Sequence, residues 1–210
     1  MNPKPLRQVD LFSDAGRLEA LYREIEDPRG VAVVCHPHPV HGGTLHNKVV
    51  FRVARGLESA GVATLRFNFR GAGLSQGQFD EGKGEMRDFD AALRWVLQKQ
   101  PGRTVIAGGF SFGSWISTRA SCDNPDVDAL FLIGTPVNKY DFGFLRDCPK
   151  PKLFVHGTED EFGDADKVSA LAETLPNTEI MIVTGAGHFF DKQLDLVEQA
   201  LRDWATELIA

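Results

Sequence analysis

A chain of 210 residues with 42% hydrophobic and 25% charged residues has the composition of a globular protein and the length for one well-buried α/β domain rather than two. Its net charge of −6, with no cluster of Lys and Arg, argues against a nucleic-acid partner. No apolar run approaches membrane-spanning length, and Cys35, Cys122 and Cys148 have neither disulfide-framework nor zinc-site spacing.

The opening stretch, Met1 to Asp10, lacks the apolar core of a secretory signal. Reduced thiols and a cytoplasmic location are therefore expected. Val9–Phe12 and Leu18–Tyr22 flank the turn cluster Ser13-Asp14-Ala15-Gly16, which predicts an antiparallel hairpin. Val31–Cys35 is an apolar, β-branched run that reads as a buried strand. The loop His36-Pro37-His38-Pro39-Val40-His41-Gly42-Gly43-Thr44 follows it. Asn47 is placed to cap a helix carrying Val50, Val53, Leu57 and Ala60, which Gly61 stops. Val62–Phe69 predicts a strand, turning out through Arg70-Gly71-Ala72-Gly73-Leu74-Ser75. A helix then carries Met86, Phe89, Leu93, Val96 and Leu97 on one face.

Thr104–Ala107 predicts the next strand, and Gly109-Phe110-Ser111-Phe112-Gly113 leads from it into a helix. This is the G-x-S-x-G elbow in its required context of strand, sharp turn and helix. Strands are expected at Val127–Ile133, at Lys152–His156 and at Glu179–Val183. A helix with Val168, Leu171 and Leu175 separates the last two. Phe190, Leu194, Val197, Leu201, Trp204 and Leu208 form the apolar stripe of a closing helix. After the hairpin, strand and helix alternate. That predicts a single α/β domain over residues 1–210, with a mostly parallel, doubly wound sheet and helices on both faces.

In such a sheet, ligands bind where the carboxyl ends of the strands meet. The loops at that edge hold Ser111, Asp160 and His188. A serine needs a base to take its proton, and histidine suits that task near neutral pH. His188 follows the last strand, and Asp160 could hold its imidazole in the required tautomer. The catalytic candidates are therefore Ser111, Asp160 and His188, with Asp164 as a second candidate acid. For the oxyanion, the backbone N–H of Phe112 follows the nucleophile directly. Pro37 and Pro39 have no N–H, which points to the N–H of His38 as the second donor. Residues 134–151 have room for a loop or one short helix but not for a helical cap. An open site is expected, lined by Phe110, Phe112, Phe142, Phe144 and Phe189.

Taken together, the motifs around His36–Thr44, Asn68–Ser75, Gly109–Gly113, His156–Asp160 and Gly185–His188 make the chain resemble the α/β-hydrolase superfamily, and more narrowly its small, lidless bacterial hydrolases. The resemblance implies an α/β-hydrolase fold without a cap domain, and a serine hydrolase acting on esters or related acyl compounds; the open site adds the expectation of an acyl-enzyme formed on small esters, with thioesters or amides beside them. No cofactor and no metal enter the expected mechanism, and the expected partner is a small acyl compound. Similar proteins often follow the acid with Val-Val-Pro, whereas Phe162-Gly163-Asp164 stands here. Two other readings belong beside this one. His36, His38 and His41 resemble a zinc motif whose residue before the last His is normally Asp but here is Val40. A chain that kept the fold and lost activity would serve as a binding protein.

Overall fold

The computed structural model describes residues 5–210; the first four residues of the stretch read for a leader lie outside the described residues. Strands β1 (Leu6–Ser13), β2 (Gly16–Arg23), β3 (Gly30–Cys35), β4 (Val62–Phe67), β5 (Thr104–Phe110), β6 (Ala129–Ile133), β7 (Lys152–Gly157) and β8 (Thr178–Val183) form one sheet in the order β1-β2-β4-β3-β5-β6-β7-β8. The hairpin β1–β2 is antiparallel and joins the sheet antiparallel to β4, while every other pairing is parallel.

The helices are α1 (Lys48–Ser59), α2 (Lys83–Lys99), α3 (Phe112–Ser121), α4 (Ala165–Glu173) and α5 (Leu194–Leu208). The pleat of the strands sends alternate side chains to opposite faces. Val31, Val33 and Cys35 of β3 join one core with Phe89, Ile116 and Val168 of α2, α3 and α4. Ala32 and Val34 face the other, with Val50 and Val53 of α1 and Leu201 and Trp204 of α5. This two-sided burial explains why the central strands read as unbroken apolar runs. Asn47 caps α1 by accepting the Val49 N–H at 2.9 Å, and Gly61 leaves the helix with a φ of 89°.

Three expectations need adjusting. β4 ends at Phe67 because Asn68 turns its polar groups to other elements. Its Oδ1 accepts the Leu45 N–H at 2.7 Å, its amide donates to Glu19 at 2.7 Å, and its carbonyl accepts the Ser75 hydroxyl at 2.7 Å. β6 starts at Ala129 because the preceding residue, Asp128, already uses its carboxylate to accept the Val105 N–H at 2.7 Å. Phe190 belongs to the apolar core, but it sits in a turn with a φ of 52°, before α5 begins at Leu194.

The turn after β4 is also fixed by charge. Arg70 is buried and donates from Nε and Nη2 to the two carboxylate oxygens of Asp88, at 3.0 and 2.8 Å, and from Nη2 to Asp14 at 2.5 Å. A Cβ on Gly84 would stand 2.5 Å from the Arg70 Cζ, so the first turn of α2 needs glycine for the guanidinium to reach Asp88. A buried ion pair of this kind holds loop, hairpin and helix in register, and losing one partner would strand the other charge.

Candidate active site

Two glycines let backbone segments crowd together at the end of β5. A Cβ on Gly109 would lie 2.6 Å from the Cys35 carbonyl oxygen and 2.7 Å from the Gly113 carbonyl carbon. One on Gly113 would lie 2.5 Å from the His36 oxygen. The end of β3, the end of β5 and the start of α3 therefore meet where no side chain fits. Ser111 stands at this junction with φ 56° and ψ −123°. An L-residue there is strained by about 1–3 kcal/mol and needs its surroundings to impose the conformation. Here they do: its N–H donates to the Ile133 carbonyl at 2.9 Å, and its carbonyl accepts the Ser114 N–H at 2.9 Å and the Ser114 hydroxyl at 2.7 Å.

The sharp turn brings the Ser111 Oγ to 2.9 Å from His188 Nε2, and His188 Nδ1 lies 2.8 Å from Asp160 Oδ2. The second carboxylate oxygen, Oδ1, accepts the N–H groups of Phe162 at 2.9 Å and Gly163 at 3.2 Å. A carboxylate accepts and does not donate, so Nδ1 carries the imidazole hydrogen and Nε2 presents its lone pair to the serine. The imidazole ring is held against Phe110 and Phe162, with centroids 4.7 and 4.6 Å away. Gly134 makes room for it, since a Cβ there would approach His188 Cε1 to 3.3 Å.

Phe162-Gly163-Asp164, the departure from the usual pattern, takes on separate tasks. Phe162 and Gly163 supply the two N–H groups to Asp160. Asp164 instead caps α4, accepting the Lys167 N–H at 3.1 Å. Asp164 is therefore committed elsewhere, and Asp160 is the carboxylate in contact with His188.

His156 ties the same loop to its neighbour. Its Nδ1 accepts the Thr135 N–H at 3.1 Å and its Nε2 donates to the Gly163 carbonyl at 2.7 Å. Burial lowers its pKa, so it stays neutral although Asp160 is 3.8 Å away. Sequence reasoning gave His156 no role. Its position at the carboxyl end of β7, beside the acid loop, was the available signal.

The three histidines after β3 do not converge as ligands. His36 is fully buried, donates from Nδ1 to the Pro37 carbonyl at 2.6 Å and accepts the Phe69 N–H on Nε2 at 3.0 Å. Neither nitrogen has a lone pair for a metal. This removes one of the three ligands on which the zinc reading rested. Burial pushes the His36 pKa down to about 4, below its ordinary value near 6.5. Protonation favours the unfolded chain, so this contribution is complete above pH ~6.5 and is lost as pH falls towards 4. The linked loss is about 3 kcal/mol at the lower end. A histidine NMR titration is expected to show the His36 ring neutral down to about pH 4. An ordinary midpoint near 6.5 would mean that the ring is not sequestered.

His38 packs against Phe112, with ring centroids 4.9 Å apart, and its carbonyl accepts the N–H groups of His41 and Gly43 at 3.1 and 3.0 Å. The loop after β3 is thus folded against the start of α3. The Phe112 N–H is the first of that helix, and a first helical N–H has no intrahelical acceptor.

A cavity of about 380 Å³ opens onto Ser111 and His188. One side is formed by Pro37, His38, His41, Gly42, Gly43 and Asn47, the other by Pro136, Lys139 and Tyr140; Phe112, Phe162 and Phe189 complete the lining. Of the expected phenylalanines, Phe112 and Phe189 line it. Phe110 is buried beneath His188, because the pleat of β5 turns it into the core shared with α1 and α5. Phe142 is buried in the opposite core, and Phe144 packs against that core too, stacked on Phe142 with centroids 6.1 Å apart and lying under the Arg119 guanidinium. Phe162, Tyr140 and Lys139 take their places at the cavity. Tyr140 was recognisable only as part of a loop; its stacking on Trp115, 4.6 Å between centroids, positions it. Residues 134–151 carry one short helical turn, Gly143–Asp147, and no cap over the site. No described helix is long and apolar enough to cross a membrane.

The mostly parallel sheet with its antiparallel hairpin, and the serine turn between β5 and α3, define an α/β-hydrolase. Residues 27–143 match the family model described as serine aminopeptidase, S33, and the chain belongs to this α/β-hydrolase family. An uncharacterized protein of Rickettsia prowazekii (strain Madrid E) is 38% identical over 208 residues, covering 94% of this chain and 87% of its own. A protein of unknown function from Agrobacterium tumefaciens has a similar structure, with a TM-score of 0.89, 34% identity, and coverage of 97% of this chain and 96% of that one. A Xanthomonas campestris protein described as an α/β serine hydrolase without lid superposes with a TM-score of 0.87 at 32% identity, covering 99% and 97% of the two chains.

Proposed function

We propose that this hydrolase is a serine esterase that uses Ser111, His188 and Asp160 to form and hydrolyse an acyl-enzyme on small esters. One observation carries the reading: the continuous contact from Ser111 Oγ to His188 Nε2 and from His188 Nδ1 to Asp160, at 2.9 and 2.8 Å. In the first half-reaction the Ser111 Oγ forms a bond to the ester carbonyl carbon as its proton passes to His188 Nε2. The carbonyl π electrons move to oxygen. Asp160 stabilises the imidazolium that results. Collapse of the tetrahedral species breaks the bond to the leaving alkoxide, which takes the proton from Nε2. Water then repeats the sequence on the acyl-Ser111 ester and releases the acid. The N–H groups of Phe112 and His38 are proposed to stabilise the oxyanion in both halves.

The serine-hydrolase description of the Xanthomonas campestris neighbour supports the same chemistry. The cavity favours short acyl groups. At about 380 Å³ and without a cap, it excludes water poorly from a long chain, so each added CH₂ gains less than the ~0.8 kcal/mol of full burial. With p-nitrophenyl esters from acetate to palmitate, kcat/KM is expected to be highest for short chains, with no jump above the micelle concentration. A maximum at palmitate that depends on micelles would contradict the open-site reading. A protein that turns over no ester and traps no serine probe would be the catalytically silent alternative.

A further inference from the structure

The side chains that line the cavity differ in charge from the acidic chain as a whole. The protein has 29 acidic and 23 basic residues, yet no Asp or Glu lines the cavity, and Lys139 is the one lining side chain with a full positive charge. His38, His41 and Asn47 add N–H donors on the opposite side. Among the described residues no carboxylate pairs with Lys139, whereas Lys48, near the rim, is neutralised by Asp191. Nearby carboxylates are engaged or turned out: Asp160 lies behind His188 with its oxygens taken by His188 Nδ1 and by the N–H groups of Phe162 and Gly163, Asp141 accepts the Gly143 N–H at 2.8 Å, Asp164 caps α4, and Glu161 is exposed. The turn that carries Lys139 is fixed, its N–H donating to the Pro136 carbonyl at 2.9 Å. Tyr140, stacked on Trp115, follows it directly. Walls of Phe112, Phe162, Phe189 and Pro136 suit a carbon skeleton. Such low-dielectric walls strengthen the pull of a single cation on an anion between them.

We infer that the natural substrate is an ester that also carries a carboxylate, and that Lys139 selects it. This rests on the Ser111 reading and deepens it by naming the substrate class. The carboxylate accepts from the Lys139 ammonium while the ester carbonyl lies at Ser111.

The test compares matched pairs that differ only in charge. Mono-p-nitrophenyl glutarate and its terminal amide place the group on the acyl side; 4-acetoxyphenylacetate and its amide place it on the leaving side. Rates are taken over an S111A background. One pair is expected to show a preference for the anion of about fivefold in kcat/KM, the upper scale of an ion pair with an exposed lysine. The pair that shows it tells which side of the ester faces Lys139. K139A should reduce that ratio to within about twofold, K139E should invert it, and K139R should retain it. Lys139 is exposed on a turn, so these variants are expected to fold. Active enzyme with a ratio near one in both pairs, or a ratio that K139A leaves intact, overturns the inference alone. No serine-dependent turnover of any of the four esters overturns the Ser111 reading, and the inference with it.

Discussion

Ser111→Ala is expected to lower kcat/KM for p-nitrophenyl acetate by about 10⁴- to 10⁶-fold, leaving only the residual rate from binding and oxyanion stabilisation. The loss should be one of chemistry and not of folding. The residue's backbone contacts, to Ile133 and Ser114, involve its N–H and carbonyl and survive the substitution. Because φ at this position is 56°, Ser111→Gly should be as inactive but more stable by about 1 kcal/mol, since glycine relieves the strain. Urea denaturation of both variants checks this. A Ser111→Ala protein with near-normal turnover would move the nucleophile. Ser114 would not be an obvious successor, because it is buried and its hydroxyl is spent on the Ser111 carbonyl.

Asp160→Asn should cost about 10⁴-fold in kcat, with KM little changed. The amide would present either a donor or a weaker acceptor to His188 Nδ1, so the imidazole loses the tautomer that leaves Nε2 free for the Ser111 proton. Its oxygen can still accept the N–H groups of Phe162 and Gly163, so the loop is expected to hold. Asp164→Asn is the control. Asn is as good a helix cap as Asp, and neither rate nor stability should change by more than about twofold. The reverse pattern, a severe loss at Asp164 and a mild one at Asp160, would assign the acid to the wrong residue here.

Much of this was written locally. The elbow reads from five residues because strain at a serine demands glycines on both sides, and the structure gives each a carbonyl neighbour that forbids a Cβ. The alternation of apolar strands with capped helices sets the doubly wound sheet. What was not legible depends on long-range packing. Whether a phenylalanine faces the cavity or the core follows from the pleat of β5 and from the path of residues 134–151, not from its proximity in sequence to Ser111. Phe110 and Phe142 are buried for that reason, while Phe162, whose place in an unfamiliar loop looked like a departure, packs against the catalytic candidate His188. Likewise His36 and His41 share a suggestive spacing, but the Phe69 N–H that occupies His36 arrives from the end of a different strand. Asn68 and Arg70 matched a family motif without an evident task. Their partners, Glu19, Leu45, Asp14 and Asp88, are distant in sequence and show that the motif braces the hairpin and α2 around the site.

The central claim is that Ser111 is the one activated nucleophile of this chain. Reaction of the unmodified protein with a fluorophosphonate, followed by intact-mass measurement and peptide mapping, tests it most directly. One phosphonyl group per chain is predicted, located on Ser111 and absent after substitution of His188 by alanine. An unlabelled protein, or an adduct carried by any other residue, would contradict the account.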